Sequence, residues 1–170
     1  MSSSKIIVLN GTSSAGKSTL AHALRDSINE PFCYYASDQL ADAGFRVSKQ
    51  FAPSDERARF FDGFHRSIGA FAEAGNNLIV EHIVEEADWW SQLKTILDAH
   101  DAFWVGVHAP IAEIERREKE RGDRYIGEAR YHLKTHDYCS YDVEVDTTYP
   151  LESVVAEILG VWKSRLDNAR

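Results

Sequence analysis

Apolar runs alternate with amphipathic segments along the whole chain. Five short runs rich in β-branched or aromatic residues predict strands at 5–10, 32–36, 78–80, 102–107 and 141–145. Between them, apolar positions with helical spacing predict helices at 18–28, 56–73, 86–100, 110–120 and 151–166. Residues 39–54 show neither pattern and predict an irregular segment. Strands that alternate with helices predict an α/β fold, with a five-stranded parallel sheet covered by helices on both faces.

The turn between the first strand and the first helix carries the clearest chemical signal. Gly11-Thr-Ser-Ser-Ala-Gly-Lys-Ser18 fits the pattern G-x-x-x-x-G-K-[ST]. Backbone N–H groups of such a turn converge on phosphate, and the helix dipole favours its charge. We expect Lys17 to reach the β- and γ-phosphates of ATP and the Ser18 hydroxyl to bind Mg²⁺. The predicted nucleotide-binding residues are Gly11, Thr12, Ser13, Ser14, Ala15, Gly16, Lys17, Ser18 and Thr19.

Two carboxylates follow predicted strands, at the sheet edge where open α/β folds bind ligands. Asp38 follows the second strand, where a carboxylate can accept the proton of a hydroxyl that attacks the γ-phosphate. Its alternative role is to cap a helix over 39–42. Glu81 follows the third strand and has three open roles: holding a Mg²⁺-bound water, orienting the acceptor, or capping the next helix.

Residues 116–130 are rich in arginine and glutamate. Part of this stretch predicts a solvated helix face with i,i+4 ion pairs. Gly122 breaks that helix, so we expect Arg121 and Arg124 to belong to a lid that closes over nucleotide and stabilises transition-state charge. The residues assigned to the solvated face are Arg116, Glu118, Lys119 and Glu120.

Composition narrows the partners. A net charge of −8 and a pI of about 5.3 argue against nucleic acid. No run is apolar and long enough to predict a secretory signal or a membrane span. The low count of two cysteines favours a reducing cytoplasm over a disulfide framework. We expect Cys33 to be buried. His132 and His136 have helical spacing without a third ligand, which argues against a structural metal.

Several segments together resemble the chloramphenicol phosphotransferase family. They span almost the whole chain, and the most specific are Arg121-Gly-Asp-Arg124 and Tyr141-Asp-Val-Glu-Val-Asp-Thr-Thr148. The resemblance implies an ATP-dependent O-kinase with a three-layer, nucleoside-monophosphate-kinase-like fold. It also implies that Asp38 is the catalytic base, Lys17 the phosphate-binding lysine, Arg121 and Arg124 the lid arginines, and Asp146-Thr147 part of the adenine loop.

The sequence therefore predicts one kinase domain over 1–170, with an acceptor-side segment at 39–74 and a lid at 116–130. The expected partner is a small-molecule hydroxyl acceptor, with a chloramphenicol-like compound among the candidates, and a homo-oligomer is left open. The short acceptor segment and Glu81-His82, where the resemblance leads us to expect an aspartate, leave the acceptor unassigned. The alternatives are a nucleotide, nucleoside or sugar-nucleotide kinase, for which Arg46, Arg57, Arg59 and Arg66 would hold an acceptor phosphate, and a non-catalytic nucleotide-binding module.

Overall fold

A parallel five-stranded sheet forms the centre of the molecule. The computed structural model describes residues 4–48, 50, 51, 53–122 and 127–168, the last three by their backbone alone. The strand order is β2-β3-β1-β4-β5, and every neighbouring pair is parallel. All five predicted strands are confirmed. Their bounds are β1 Lys5–Asn10, β2 Cys33–Ala36, β3 Leu78–His82, β4 Asp101–His108 and β5 Val143–Asp146.

Helices connect the strands and cover both faces of the sheet, as predicted. The prediction that 39–54 is wholly irregular is wrong at its start, because residues 37–42 form a short helix. The Gln39 side chain accepts a hydrogen bond from the Ala36 amide at 2.9 Å, a local contact that begins a helix too short to show periodicity. The helices are α1 Lys17–Ser27, α2 Ser37–Asp42, α3 Glu56–Glu73, α4 Ala87–Leu97, α5 Ile111–Arg121, α6 Glu128–Tyr131, α7 Thr135–Tyr138 and α8 Leu151–Asn168, with a 3₁₀ turn at His132–Lys134 before α7.

The central strand β1 shows why the sheet needs two helical layers. Ile7 and Leu9 pack into the cluster that contains α1 and α8, while Ile6 and Val8 pack into the cluster that contains α3 and α4. All four side chains are buried. A strand buried on both faces is a continuous apolar run, which explains why this segment was easy to recognise.

The prediction that Cys33 is buried is wrong. Cys33 is exposed, because β2 is an edge strand and its first residue lies outside the core. Phe71 is 49% exposed, although it shares α3 with the buried Phe64 and Ile68. Leu151 is 38% exposed at the first position of α8, before that helix reaches the sheet.

Candidate functional site

The carboxyl ends of β1, β2 and β3 open into a cleft of about 1050 Å³. Residues from the turn after β1, from α2, from the end of β3 and from α5 line it. Because these strands are parallel, the polar residues that follow them meet at one edge of the sheet. Lys17, Ser18, Asp38, Glu81 and Arg121 are predicted site residues, and all five line this cleft.

The turn after β1 has the backbone geometry of an anion-binding loop. Ser14 and Gly16 have positive φ angles, 61° and 95°, and the loop leads directly into the N-terminus of α1. Gly11 allows a close approach, because a Cβ atom there would lie 2.3 Å from the Val107 carbonyl oxygen. A loop of alternating backbone conformation in front of a helix N-terminus directs N–H groups towards a bound anion.

Two side chains of this loop suit a phosphate ligand. Lys17 is buried, and its Nζ donates a hydrogen bond to the Thr12 carbonyl at 2.8 Å, which holds the ammonium group against the loop. The buried Ser14 hydroxyl has no hydrogen-bond partner within the described ranges. A buried hydroxyl without a partner costs free energy unless a ligand satisfies it, so the loop fits phosphate oxygens.

Ser18 and Glu81 lie together, which supports one of the three roles that the sequence left open for Glu81. Ser18 Oγ donates to Glu81 Oε1 at 2.9 Å, and Tyr34 donates to Glu81 Oε2 at 2.5 Å. Burial, followed by the hydrogen bond to Glu81 and that carboxylate's charge, raises the pKa of Tyr34, so it stays a neutral donor. The capping role is wrong, because Glu86 occupies the position before α4. A hydroxyl beside a carboxylate next to a phosphate loop is an oxygen donor set that fits Mg²⁺.

Asp38 lies in the first turn of α2 and is exposed to the cleft that it lines. The capping alternative for Asp38 is wrong, since Ala36 occupies the position before the helix and Asp38 lies inside it. Its carboxylate therefore belongs to the wall of the cleft, at the end of the strand next to β3.

Helix α5 leads to the predicted lid and ends where the sequence indicated, at Gly122 with a φ angle of 68°. Arg116 pairs with Glu113 and Glu120 on the outer face, as expected for a solvated helix. Arg124 lies outside the described residues. The assignment of Glu118 to the solvated face is wrong. That side chain is buried.

Glu118 connects the beginning of the predicted lid segment to its end. Its carboxylate accepts hydrogen bonds from the amides of Gly127 at 2.8 Å and Ala129 at 2.9 Å. The Ala129 carbonyl in turn accepts a hydrogen bond from the Thr12 hydroxyl. The two ends of the lid segment are thus tied to each other and to the phosphate loop.

Sequence reasoning missed Arg117. Its guanidinium donates to the Thr147 hydroxyl at 2.9 Å and to the Thr147 carbonyl at 3.2 Å, and it also lines the cleft. Thr147 Oγ1 in turn donates to the Ala15 carbonyl at 2.6 Å, which joins the predicted adenine loop to the phosphate loop. The signal was available, because Arg117 lies four residues before Arg121 and thus on the same face of α5.

Two arginines that line the cleft are each paired with a carboxylate. Arg46 donates to both oxygens of Glu56, at 2.9 and 2.5 Å. Arg57 donates to both oxygens of Glu85, at 2.6 Å each, and stacks over Phe61. Arg59 pairs with Asp55 directly before α3, and Arg66 pairs with Asp62 within α3. Both ion pairs are exposed, and neither arginine lines the cleft.

Carboxylate and hydroxyl oxygens line the cleft, and so do two histidines, His82 and His132. His132 belongs to the 3₁₀ turn and His136 to α7, so these two histidines do not share one helix, although their spacing is helical. Among the described residues, no group of three His, Cys, Asp or Glu side chains could hold a metal ion.

Comparison with known proteins shows to which family the chain belongs. Residues 4–162 match the family described as chloramphenicol phosphotransferase-like protein. The chain belongs to this family. A relative from Mycobacterium tuberculosis H37Rv, provisionally named an O-phosphotransferase, is 30% identical over 93% of this chain and 82% of its own length. The chain is therefore a P-loop kinase, as predicted from its resemblance to this family.

Solved structures share the fold at low sequence identity. The APS kinase of Mycobacterium tuberculosis, in complex with AMPPNP and APS, superposes with a TM-score of 0.70 at 19% identity, over 96% of this chain and 99% of its own. A gluconokinase from Sinorhizobium meliloti gives 0.67 at 18%, over 99% and 97%. The shikimate kinase of Aquifex aeolicus gives 0.65 at 22%, over 95% and 98%. These likenesses confirm the predicted P-loop kinase fold.

None of the helices in the described part of this kinase is long and apolar enough to cross a membrane. Both cysteines, Cys33 and Cys139, are free thiols.

Proposed function

We propose that the chain is an ATP-dependent O-phosphotransferase that moves the γ-phosphoryl group of ATP to a hydroxyl of a small molecule. One observation carries this proposal: a single cleft brings together the phosphate loop, the Ser18–Glu81 pair and the carboxylate of Asp38. A phosphoryl transfer needs an anion cradle, an oxygen site for Mg²⁺ and a base on the acceptor side. Three strand ends supply these three parts.

The nucleotide end holds the phosphates. The loop amides and Lys17 would bind them, and Ser18 and Glu81 would hold Mg²⁺. Bound Mg²⁺ neutralises charge that develops on the phosphate oxygens. Because Lys17 is buried and held by the Thr12 carbonyl, its charge is fixed before the reaction begins, which is the condition for strong electrostatic stabilisation.

The acceptor end activates the hydroxyl. Asp38 accepts the proton of the attacking hydroxyl, while the oxygen of that hydroxyl forms the new bond to the γ-phosphorus. The bond from phosphorus to the oxygen of ADP breaks in the same step, so the products are the phosphate ester, ADP and protonated Asp38. A protein that only binds nucleotide needs no carboxylate at the acceptor end. The position of Asp38 therefore favours catalysis over a regulatory role.

Two segments close the cleft in this proposal. Residues 1–170 form one kinase domain in which 39–74 surround the acceptor and 116–130 form the lid. Arg121 and Arg124 stabilise charge on the transferred group when the lid closes. Arg117 joins them as a lid residue that contacts Thr147 of the adenine loop.

The charges at the acceptor end favour a neutral acceptor over a phosphorylated one. A nucleotide kinase would direct arginines at an acceptor phosphate, but Arg46 and Arg57 each make paired hydrogen bonds to a carboxylate. A doubly charged phosphate would therefore meet Glu56 and Glu85 as well as the two arginines. Neutral alcohols such as chloramphenicol are the first acceptors to test. The two free thiols fit a reducing cytoplasm.

The substitution Asp38→Asn tests the proposal. Loss of a general base lowers kcat by about 10²- to 10⁴-fold, while ATP affinity, which depends on the phosphate loop, stays close to that of the wild type. The wild-type protein is first screened for ATP consumption with chloramphenicol, sugars, nucleosides and nucleoside monophosphates. ATP affinity and transfer to the best acceptor are then measured in the variant.

The matched control is Asp42→Asn, an exposed carboxylate on the same short helix that does not line the cleft. We expect this control to transfer at the wild-type rate. Transfer by Asp38→Asn at the rate of this control would refute the proposed mechanism, and a nucleoside monophosphate as the best acceptor would refute the neutral-acceptor argument.

A further inference from the structure

Four polar side chains form a hydrogen-bonded chain that runs from the surface of α3 to the wall of the cleft. Gln92 Nε2 donates to Asp62 Oδ1 at 2.6 Å. Gln92 Oε1 lies 2.8 Å from His65 Nδ1, and His65 Nε2 lies 2.9 Å from His82 Nε2. His65 and His82 are both buried, and His82 is one of the residues that line the cleft.

The order of donors and acceptors along this chain fixes the protons. Because the Gln92 amide donates to Asp62, its oxygen faces His65, so His65 Nδ1 must carry a hydrogen. The neutral His65 ring then has a lone pair on Nε2. The contact at 2.9 Å requires one hydrogen between the two rings, so His82 Nε2 is the donor.

The remaining nitrogen of His82 is therefore a hydrogen-bond acceptor. Burial lowers the pKa of His65, which keeps that ring neutral, and the order of donors then places the hydrogen of His82 on Nε2. Within the described ranges, His82 Nδ1 is buried and has no hydrogen-bond partner. A buried acceptor without a donor is costly, and a ligand that supplies the donor recovers that cost.

The neighbours of His82 hold the ring in this orientation. Trp89 stacks on it at an interplanar angle of 11°, and Phe61, which also lines the cleft, lies 5.9 Å away between ring centroids. His82 pairs with Asn10 in the sheet register, one residue beyond Glu81. The unpaired nitrogen thus belongs to a packed ring, and its residue lines the cleft directly after Glu81 in β3.

We propose that His82 Nδ1 accepts a hydrogen bond from the phosphoacceptor, which therefore carries a second hydroxyl or an N–H group besides the hydroxyl that is phosphorylated. This inference rests on the proposed function and adds a specificity-determining residue to it. The chain Asp62–Gln92–His65 keeps Nδ1 free of hydrogen and thereby selects for a donor group on the acceptor molecule.

Two substitutions of His82 separate this role from packing. Asn places its side-chain oxygen close to the position of Nδ1 and keeps an acceptor there, whereas Gln places its amide near Nε2 and keeps only the contact with His65. We expect His82→Gln to raise the acceptor KM by roughly five- to tenfold, the scale of one buried hydrogen bond, and His82→Asn to raise it much less. ATP affinity stays the same in both variants.

The control pair is His100→Gln and His100→Asn. His100 also has a buried Nδ1 without a partner in the described part of the chain, but it lies before β4, at the opposite edge of the sheet, and does not line the cleft. Neither control should change the acceptor KM. Equal acceptor KM values for His82→Gln and His82→Asn would overturn the inference.

Nitrogen-15 NMR of the histidine rings gives a second readout that does not depend on turnover. We expect a bare Nδ1 and a protonated Nε2 in His82, and a change at Nδ1 when probes bind in the presence of AMPPNP. The probes are chloramphenicol and paired sugars with and without one hydroxyl, such as glucose and 2-deoxyglucose. A hydrogen on Nδ1 would overturn the inference even if phosphotransfer is observed, whereas a bare Nδ1 that responds to a probe supports it even if transfer fails.

Discussion

The two ends of the cleft are held together by different kinds of contact. At the nucleotide end, side chains hold main-chain carbonyls: Lys17 bonds to Thr12, and Thr147 bonds to Ala15. At the acceptor end, charged side chains hold each other, as in the pairs Arg46–Glu56 and Arg57–Glu85. A backbone cradle suits a phosphate chain that is the same in every kinase, while exchangeable side-chain pairs suit an acceptor that differs between kinases. In the proposed function, the first end would bind the nucleotide and the second would select the acceptor.

The largest effect is expected at the nucleotide end, from Lys17→Met. This change removes a buried charge that is aimed at the transferred group, and we expect turnover to fall by at least ~10²-fold. The measurement is the ATP-dependent rate with folding verified by circular dichroism. Lys94→Met is the control, since Lys94 lies on α4 and outside the cleft. If Lys17→Met turns over at the rate of this control, the nucleotide end has been assigned to the wrong residues.

The double substitution Arg121→Ala and Arg124→Ala should have the next largest effect. A hydrogen bond to a charged group that forms only on closure contributes to kcat, so we expect kcat to fall roughly 10- to 100-fold with a smaller change in ATP affinity. Arg116→Ala is the matched control on α5, because Arg116 pairs with Glu113 and Glu120 on the outer face. Equal losses in ATP affinity and kcat would assign these arginines to ground-state binding.

The difference between the two ends also explains what the sequence could predict. The phosphate loop is local in the chain, so eight consecutive residues indicated its structure, and strand ends indicated where Asp38 and Glu81 would meet it. Arg57 and Glu85 lie 28 positions apart, and only the packing of α3 against the end of β3 brings them together. The burial of Glu118 was missed for the same reason, since its partners Gly127 and Ala129 lie 9 and 11 positions further along the chain. Helical spacing alone marks such a glutamate as solvent-exposed.

A smaller effect should appear when the acceptor-end arginines lose their partners. In Glu56→Gln with Glu85→Gln, Arg46 and Arg57 keep their charges without the paired carboxylates, so affinity for an anion such as AMP should rise. These ion pairs are partly exposed, which limits the gain to about fivefold. Asp55→Asn is the control, because it releases the exposed Arg59 outside the cleft. Calorimetric titration with AMP checks the prediction, and an equal gain in the control would show a general effect of net charge.

The smallest effect concerns stability and pH beneath the nucleotide end. Burial and the stacked His108 lower the pKa of His136 from 6.5 to about 4, while its Nδ1 lies 2.8 Å from the Tyr141 hydroxyl. In this pH range, His136 therefore binds a proton in the unfolded chain but not in the folded chain. The free energy of unfolding falls as the pH drops from 6.5 towards 4.

After a discount for partial exposure, His136 accounts for about 1 kcal/mol of the stability lost between pH 7 and pH 5. Denaturant unfolding of His136→Gln should show a pH dependence that is flatter by this amount. His65 and His82 at the acceptor end have lowered pKa values as well, so the variant keeps part of the slope. His22→Gln, at an exposed position of α1, should unfold with the wild-type slope. A wild-type slope in His136→Gln would show that the buried histidines of the acceptor end, and not the one beneath the phosphate loop, set the response of this fold to mild acid.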